Sequence, residues 1–402
     1  MSLIWEASCC RPRVPLRRLF STSLTHHASK KQEVFDHQPG VDLPPLDHWR
    51  KYFKALLPVK DRTCVRNPKT AASLANSFIY WDWDKMEPSH KSNGLGKVVI
   101  EAFPGPGQLT RALMKLPESR MRKLIVLEDY PPYLEYLRPL EAVDPRVKVI
   151  PMSGFGWDTY RLLHDEGHLE GIAQDYPWDE VHPDLHFISH IPQSILGEQL
   201  VAQFFRCMPE RQWLFRYGRV PMSLIMSEFM WTRLSSGPKD LQRCKVTIMA
   251  EASATSALSL PCSTLLPHND HWHPDVVRLN ESKSESKRLG TPLAAVNILP
   301  LKDQVITAGM LDKWDFVLRR LFVLKSTPLK TAINSLAPGA KSLLATLTDE
   351  SLPANERVDI RLPVKKLSVK DWALILRAFD NWPFAPDSLM ISAGFSDDRE
   401  RS

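Results

Sequence analysis

The sequence predicts an α/β protein: a largely parallel sheet covered by helices on both faces, followed by a small, mostly helical C-terminal domain. Three observations predict it. Short apolar runs alternate with helix-length stretches between about residues 98 and 235, the pattern of parallel strands joined by crossover helices. The first of those runs leads straight into a Gly/Pro turn, "VVIEAFPGPGQLTRAL" at 98–113. Beyond about residue 289 helical periodicity takes over.

The chain has 402 residues and 33 prolines, with 43% apolar side chains. That is enough for two domains but too interrupted for long regular elements. No run of eighteen apolar residues occurs, so no membrane-spanning helix is expected. Residues 1–31 are a different material: six bases against Glu6, with many Ser and Thr. Arg-rich, Ser-rich and acid-poor composition reads as a mitochondrial transit peptide, which places the mature protein in the mitochondrial matrix. That leader carries +5 of the chain's +6, leaving +1 for the remainder. A nucleic-acid surface must therefore be local rather than global.

From Trp49 onward Tyr52, Phe53, Leu56 and Leu57 recur at helical spacing, and Pro58 stops the run. "NPKTAASLANSFIYW" is a helix with Asn67 as cap and Pro68 in its first turn. The strand at 98–100 and its glycine turn precede a helix from Gln108 to Leu116. Strand "KLIVLEDY", helix "PPYLEYLRPLE", strand "VKVIPM", strand "LHFISHIP" and helix "SILGEQLVAQFFRCM" follow. "RQWLFRYG" reads as a fifth strand, "PMSLIMSEFMWTRL" as a helix, and "KVTIMAEAS" as a strand at the sheet edge. Ser, Pro, His and Asn dominate 255–288, which reads as a loop or linker. In 289–402, "TPLAAVNILP" is extended, while "KWDFVLRRLFVLKSTPLKTAINSLAPG" and "SVKDWALILRAFDNWP" carry one apolar helical face each.

Six cysteines, at 9, 10, 64, 207, 244 and 262, form no CxxC pair. That pattern supports neither a zinc ribbon nor a disulfide framework. His268, His271 and His273 are close in sequence but lack a second ligand cluster, so no metal site is expected.

The turn carries the chemistry. A parallel sheet binds ligands beyond the carboxyl ends of its strands, and "EAFPGPG" lies at that rim. Gly105 and Gly107 let a backbone approach a ligand closely. Glu128 ends the second strand 21 positions after Gly107, where a ribose-binding carboxylate belongs. Thr110 stands where a dinucleotide loop keeps its third glycine. Glu101, just before the turn, suits a cofactor bearing positive charge better than one bearing phosphates. S-adenosyl-L-methionine fits that description.

These segments, in this order, resemble the ribosomal RNA adenine N6-dimethyltransferase family, and within it the fungal mitochondrial transcription factor B branch. Glu101, Pro104, Gly105, Gly107, Leu109 and Thr110 match the family's first motif, with Phe103 replacing its first glycine. The resemblance implies a Rossmann-like methyltransferase sheet over 45–254, acting as a nucleic-acid-binding domain, and a helical C-terminal domain over 289–402. It implies a cofactor rim of Glu101, Phe103, Gly105, Gly107, Glu128, Ser153 and His190. Ser153 or Gly154 stands where the enzymes keep an Asp. Active members carry Asn-Leu-Pro-Tyr after the fourth strand; here His190 and Gln193 replace the Asn and the Tyr. The carboxamide acceptor and the stacking ring are both gone, and stacking alone is worth ~1–3 kcal/mol per base. The expectation is a chain without catalytic residues or methyl-transfer cofactor. Its role then passes to the surface: Arg111, Lys115, Arg211, Arg216, Arg219, Arg319, Arg320 and Lys330 as phosphate contacts, and Trp213, Tyr217 and Trp231 as stacking groups. The resemblance implies a transcription initiation factor working with the mitochondrial RNA polymerase on promoter DNA or single-stranded nucleic acid. The alternatives are a mitochondrial rRNA dimethyltransferase and a non-catalytic mitoribosomal RNA binder.

Overall fold

Alternate residues of the first long strand feed two different cores, and the fold follows from that. In the computed structural model, which describes residues 37–90, 95–275, 292–386 and 389, β1 runs Lys97–Ala102. Val98, Ile100 and Ala102 pack on one face, and Val99 on the other. An uninterrupted apolar run is what a strand covered on both sides requires. β2 (Met121–Leu127) repeats the alternation: Ile125 and Leu127 on one side, Leu124 and Val126 on the other. The leader 1–31 and the charged run 280–290 lie outside the described residues.

Before the sheet, α1 spans Pro68–Ile79, and the Asn67 side chain accepts from the Lys69 and Thr70 N–H groups. After it come α2 (Gln108–Met114), α3 (Pro131–Leu137), β3 (Val147–Ile150), α4 (Trp157–Asp165), β4 (Leu185–His190) and α5 (Ile195–Cys207). β5 (Met222–Ser227), α6 (Glu228–Leu234), α7 (Lys245–Ser253), β6 (Ala254–Leu260) and β7 (Leu293–Pro300) complete the sheet region. The seven strands lie in the order β3-β2-β1-β4-β5-β7-β6. The first five are mutually parallel, and β7 runs antiparallel to both neighbours. Strand order reverses between β1 and β4, so the ligand crevice of such a sheet falls at their carboxyl ends.

Several expected elements differ. "RQWLFRYG" is a 3-10 turn, Trp213–Tyr217, with Trp213 at φ 58°. The fifth strand is instead "MSLIMS". A short apolar run looks alike as buried strand or helix, and the aromatic segment had the stronger β propensity. "KVTIMAEAS" is helix α7. Residues 255–260, expected as linker, pair with β7. "TPLAAVNILP" is that β7, an inner strand of the sheet rather than part of a separate helical domain. Leu56 and Leu57 are exposed rather than buried, because the helix after Trp49 ends at Tyr52.

α8 (Leu311–Phe322) and α9 (Val369–Asp380) each bury one stripe, with Trp314, Val317, Leu318 and Leu321 on α8 and Trp372, Ile375 and Phe379 on α9. A capping box starts α9: Ser368 Oγ accepts from Asp371 N–H, and the Asp371 carboxylate accepts from Ser368 N–H. Their core is continuous with the face of β1 that holds Ile100. Among the described residues no helix is long and apolar enough to cross a membrane.

Candidate functional site

The glycine turn closes on itself rather than on open space. Phe103, Gly105 and Gly107 all take positive φ, at 58°, 66° and 88°. Only glycine adopts this without strain. A Cβ on Gly105 would sit 2.7 Å from Cys64 Cβ, and one on Gly107 would sit 2.4 Å from the Leu137 side chain. The close approach that these glycines permit is therefore made by protein. Phe103 is buried, its ring 4.8 Å from that of Phe155. A Cβ on Gly154 would lie 3.1 Å from the Phe103 ring, so the loop that replaces the family's Asp serves as a shelf for Phe103. Ser153 lies in that loop, its Oγ accepting from Phe155 N–H at 3.4 Å.

Glu101 has no solvent exposure. Thr110 donates its hydroxyl proton to Glu101 Oε2 at 2.7 Å, which explains a threonine where dinucleotide loops have glycine. Burial pushes the Glu101 carboxyl up to about 8, with the Thr110 bond pulling the other way. Its second oxygen, Oε1, has no hydrogen-bond partner. His190 Nε2 lies 3.9 Å from it. Burial lowers that imidazole to about 4, so the pair is neutral rather than ionic near pH 7.

Glu128, the ribose-type carboxylate, is already taken. Its Oε1 accepts from the Asp129 and Tyr130 N–H groups at 3.1 and 3.0 Å, and from Arg62 Nη1 at 2.8 Å. Its Oε2 accepts from Arg62 Nη2. Arg62 stands over the rings of Phe103 and Tyr133, at 5.2 and 5.6 Å. Burial alone would lower the Arg62 guanidinium, but Glu128 outweighs it and holds the group above its ordinary value. The segment carrying Arg62 also grips the remnant of the family's catalytic motif. Gln193 donates its N–H to Asp61 O at 2.7 Å, and its Nε2 to Thr63 Oγ1 at 2.7 Å. Next in the chain, Cys64–Val65 pairs antiparallel with Trp272–His273. Burial pushes the Cys64 thiol up to about 12, so it is no nucleophile.

The structure thus brings Glu128 and Phe103 onto one side chain, Arg62, that the sequence did not single out, and ties Gln193 to its chain neighbours Asp61 and Thr63; Glu101 pairs instead with Thr110 and His190. S-adenosyl-L-methionine does not fit the residues as placed. Both oxygens of its ribose acid are engaged by a guanidinium, and Phe103 and Cys64 occupy the space along the turn.

The expected phosphate contacts divide into two groups. Arg111 bonds to the carbonyls of Val41, Pro106, Gly107 and Tyr136, and burial lowers it to about 10. It staples the turn. Arg219 is buried and bonds to the Pro300 and Asp179 carbonyls. Arg319 is half-buried and pairs with Asp315 at 3.0 Å. These three are structural. Lys115, Arg211, Arg216, Arg320 and Lys330 are exposed. Of the expected stacking groups, Tyr217 is buried and Trp213 is packed among Tyr160, Phe187 and Phe204; Trp231 is half-buried. Trp157, which was not among them, is 43% accessible at the start of α4. With Arg161, Gln212 and Arg216 it lines a depression of 350 Å³. An arginine-flanked aromatic of this kind suits an unstacked base. The sequence offered only a lone Trp in "GFGWDTY". His268, His271 and His273 bond to the Pro274 carbonyl, to Thr70 Oγ1 and to the Phe53 carbonyl, and they clasp the segment around the short strand.

A sheet with this strand order, a glycine turn at the end of β1 and an acid at the end of β2 defines a Rossmann-like methyltransferase fold. A family model described as ribosomal RNA adenine dimethylase matches residues 84–381, and the chain belongs to that family. Mitochondrial transcription factor 1 of Lachancea kluyveri is 25% identical over 302 residues, covering 73% of this chain and 83% of the relative. The protein of the same name from Saccharomyces cerevisiae is 25% identical, covering 73% and 82%. Dimethyladenosine transferase 1, mitochondrial, of Xenopus tropicalis is 26% identical over 172 residues, covering 42% of this chain and 46% of that one.

Proposed function

We propose that this protein is a mitochondrial transcription initiation factor, acting in the matrix without methyl transfer. It assists a single-subunit mitochondrial RNA polymerase in promoter recognition and DNA melting. The observation that carries the reading is the closed cofactor rim: Arg62 holds the ribose acid, and Gln193 is tied to the same segment. The transcription factor names of the long-matching fungal relatives support it. Such a factor needs a groove for melted DNA and a partner surface, not a reactive pocket. Arg216, which lines the Trp157 depression, and the exposed Arg211 and Lys115 supply sequence-independent phosphate contacts, and Trp157 a stacking face. Purified mitochondrial polymerase is expected to gain promoter-specific run-off product when the protein is added; unchanged product would sink the reading. Family membership favours a second reading, S-adenosyl-L-methionine-dependent dimethylation of mitochondrial rRNA. Tritium transfer from the cofactor to small-subunit rRNA would establish that one. Co-sedimentation with ribosomal particles instead of polymerase would point to a structural RNA binder.

A further inference from the structure

We propose that Arg62 is a built-in occupant of the ribose subsite, and that the strap from Pro58 to Val65 keeps an adenosine-binding cavity shut. The inference concerns the cofactor rim alone and holds or fails whether or not the protein stimulates a polymerase.

The match is chemical. A carboxylate that grips a ribose accepts two hydrogen bonds from vicinal hydroxyls. The Arg62 guanidinium delivers the same two bonds in a parallel fork, one to each oxygen of Glu128, and adds the charge that a buried carboxylate requires. Its guanidinium carbon lies 5.2 and 5.6 Å from the Phe103 and Tyr133 rings, aromatic neighbours that would also accept a planar base. The Arg62 side chain is 11% exposed and Glu128 fully enclosed, so the exchange is nearly complete.

Three anchors hold the strap at three parts of the rim. Arg62 reaches the end of β2. Cys64 fills the space that the missing side chain of Gly105 leaves at the end of β1. Asp61 and Thr63 take both donors of Gln193 beyond the end of β4. Beyond these, the Cys64–Val65 pairing with Trp272–His273 ties the strap to a distant segment. A surface loop lying on the sheet by chance would not meet all three strand ends.

The test is calorimetric titration of the full chain with adenosine and with S-adenosylhomocysteine. The wild type is expected to give no saturable binding, and Arg62→Ala to bind at least one of them at least tenfold more tightly. Arg62→Lys, which keeps the charge but loses the fork, should fall between. Binding by the wild type within threefold of Arg62→Ala overturns the proposal. So does a folded Arg62→Ala that binds neither compound. Should Arg62→Ala fail to fold, Glu128→Gln decides, since it keeps the volume and weakens the clasp. Amide exchange at Arg62–Val65, read by mass spectrometry, should then quicken at least tenfold while β1 and β2 stay unchanged. Unaltered strap exchange in that variant overturns the proposal.

Discussion

Phe103 sits in a conformation that a phenylalanine should avoid, and replacing it with glycine sets two effects against each other. At φ 58° a non-glycine residue carries strain of about 1–3 kcal/mol. Glycine would release that strain. It would also remove a ring that is 3% exposed, packed 4.8 Å from Phe155 and capped by the Arg62 guanidinium at 5.2 Å. Deleting a buried phenylalanine side chain costs about 3–5 kcal/mol, and the lost cation–π contact is part of the same change. The packing loss wins. Phe103→Gly should therefore lower stability by about 2–3 kcal/mol, read as a lower urea midpoint at unchanged slope. Phe103→Ala separates the two terms. Alanine loses the same ring but keeps the strain, so it should be about 1 kcal/mol less stable than the glycine variant. At an ordinary core position alanine would be the better of the two. A glycine variant as stable as wild type, or an alanine variant more stable than glycine, would refute the account of the turn. Neither variant should bind cofactor while Arg62 remains, because the ring lines the site and the guanidinium fills it.

Glu101→Gln tests the buried carboxyl. Its folded pKa, about 8, lies above the unfolded 4.5. Its proton therefore favours the fold fully below pH 4.5, and that contribution is lost as pH rises through about 8. The glutamine variant should gain stability relative to wild type between pH 5 and 8; an identical pH dependence in the two proteins would remove the buried acid from the argument. Two arginines expected to act alike should part. Arg111→Ala should lower the thermal midpoint, since its guanidinium bonds four carbonyls of the turn region. It should leave the salt dependence of nucleic-acid binding unaltered. Arg216→Ala should leave the midpoint within about a degree, as exposed surface positions do, and reduce the slope of log K against log salt by about 1. The reverse pattern would return Arg111 to the interface.

What the sequence made legible was what is local. The alternation of elements through β4 and α5, the Gly105–Gly107 turn and the position of Glu128 at the end of β2 each depend on a dozen or so neighbouring residues, and each lies where expected. The assignment of β5 failed because "SLIM" and "WLFRY" are both short apolar runs, and only the positive φ at Trp213 and the packing of Met222 and Leu224 decide between them. β6 was missed, and β7 was read as extended but not placed in the sheet, for another reason. An antiparallel extension after a long insertion has no crossover helix to announce it, and the apolar residues of "ATSALSL" are small or broken by Thr and Ser.

The site was half legible, and the missing half follows from the visible one. Motif positions showed that Phe103, His190 and Gln193 depart from the family pattern, but a departure says only what a site has lost. A buried carboxyl that stays behind must be held neutral, as Glu101 is, or be paired. Without a partner Glu128 would leave an uncompensated charge in the interior, a defect worth about 3–5 kcal/mol. On the proposed reading, a chain that gives up its cofactor must therefore replace that acid, hold it protonated or bring a cation to it. Here the acid is kept, and the cation comes from 66 residues upstream, out of the stretch "VKDRTCV", which has no periodicity to mark it. The retained Glu128 beside a degenerate catalytic motif is thus itself a signal. In a relative that has lost the chemistry but kept the acid, a compensating arginine should be sought elsewhere in the chain, and the prediction is read directly from structure: where the acid is replaced by an apolar residue, no guanidinium should lie in the subsite.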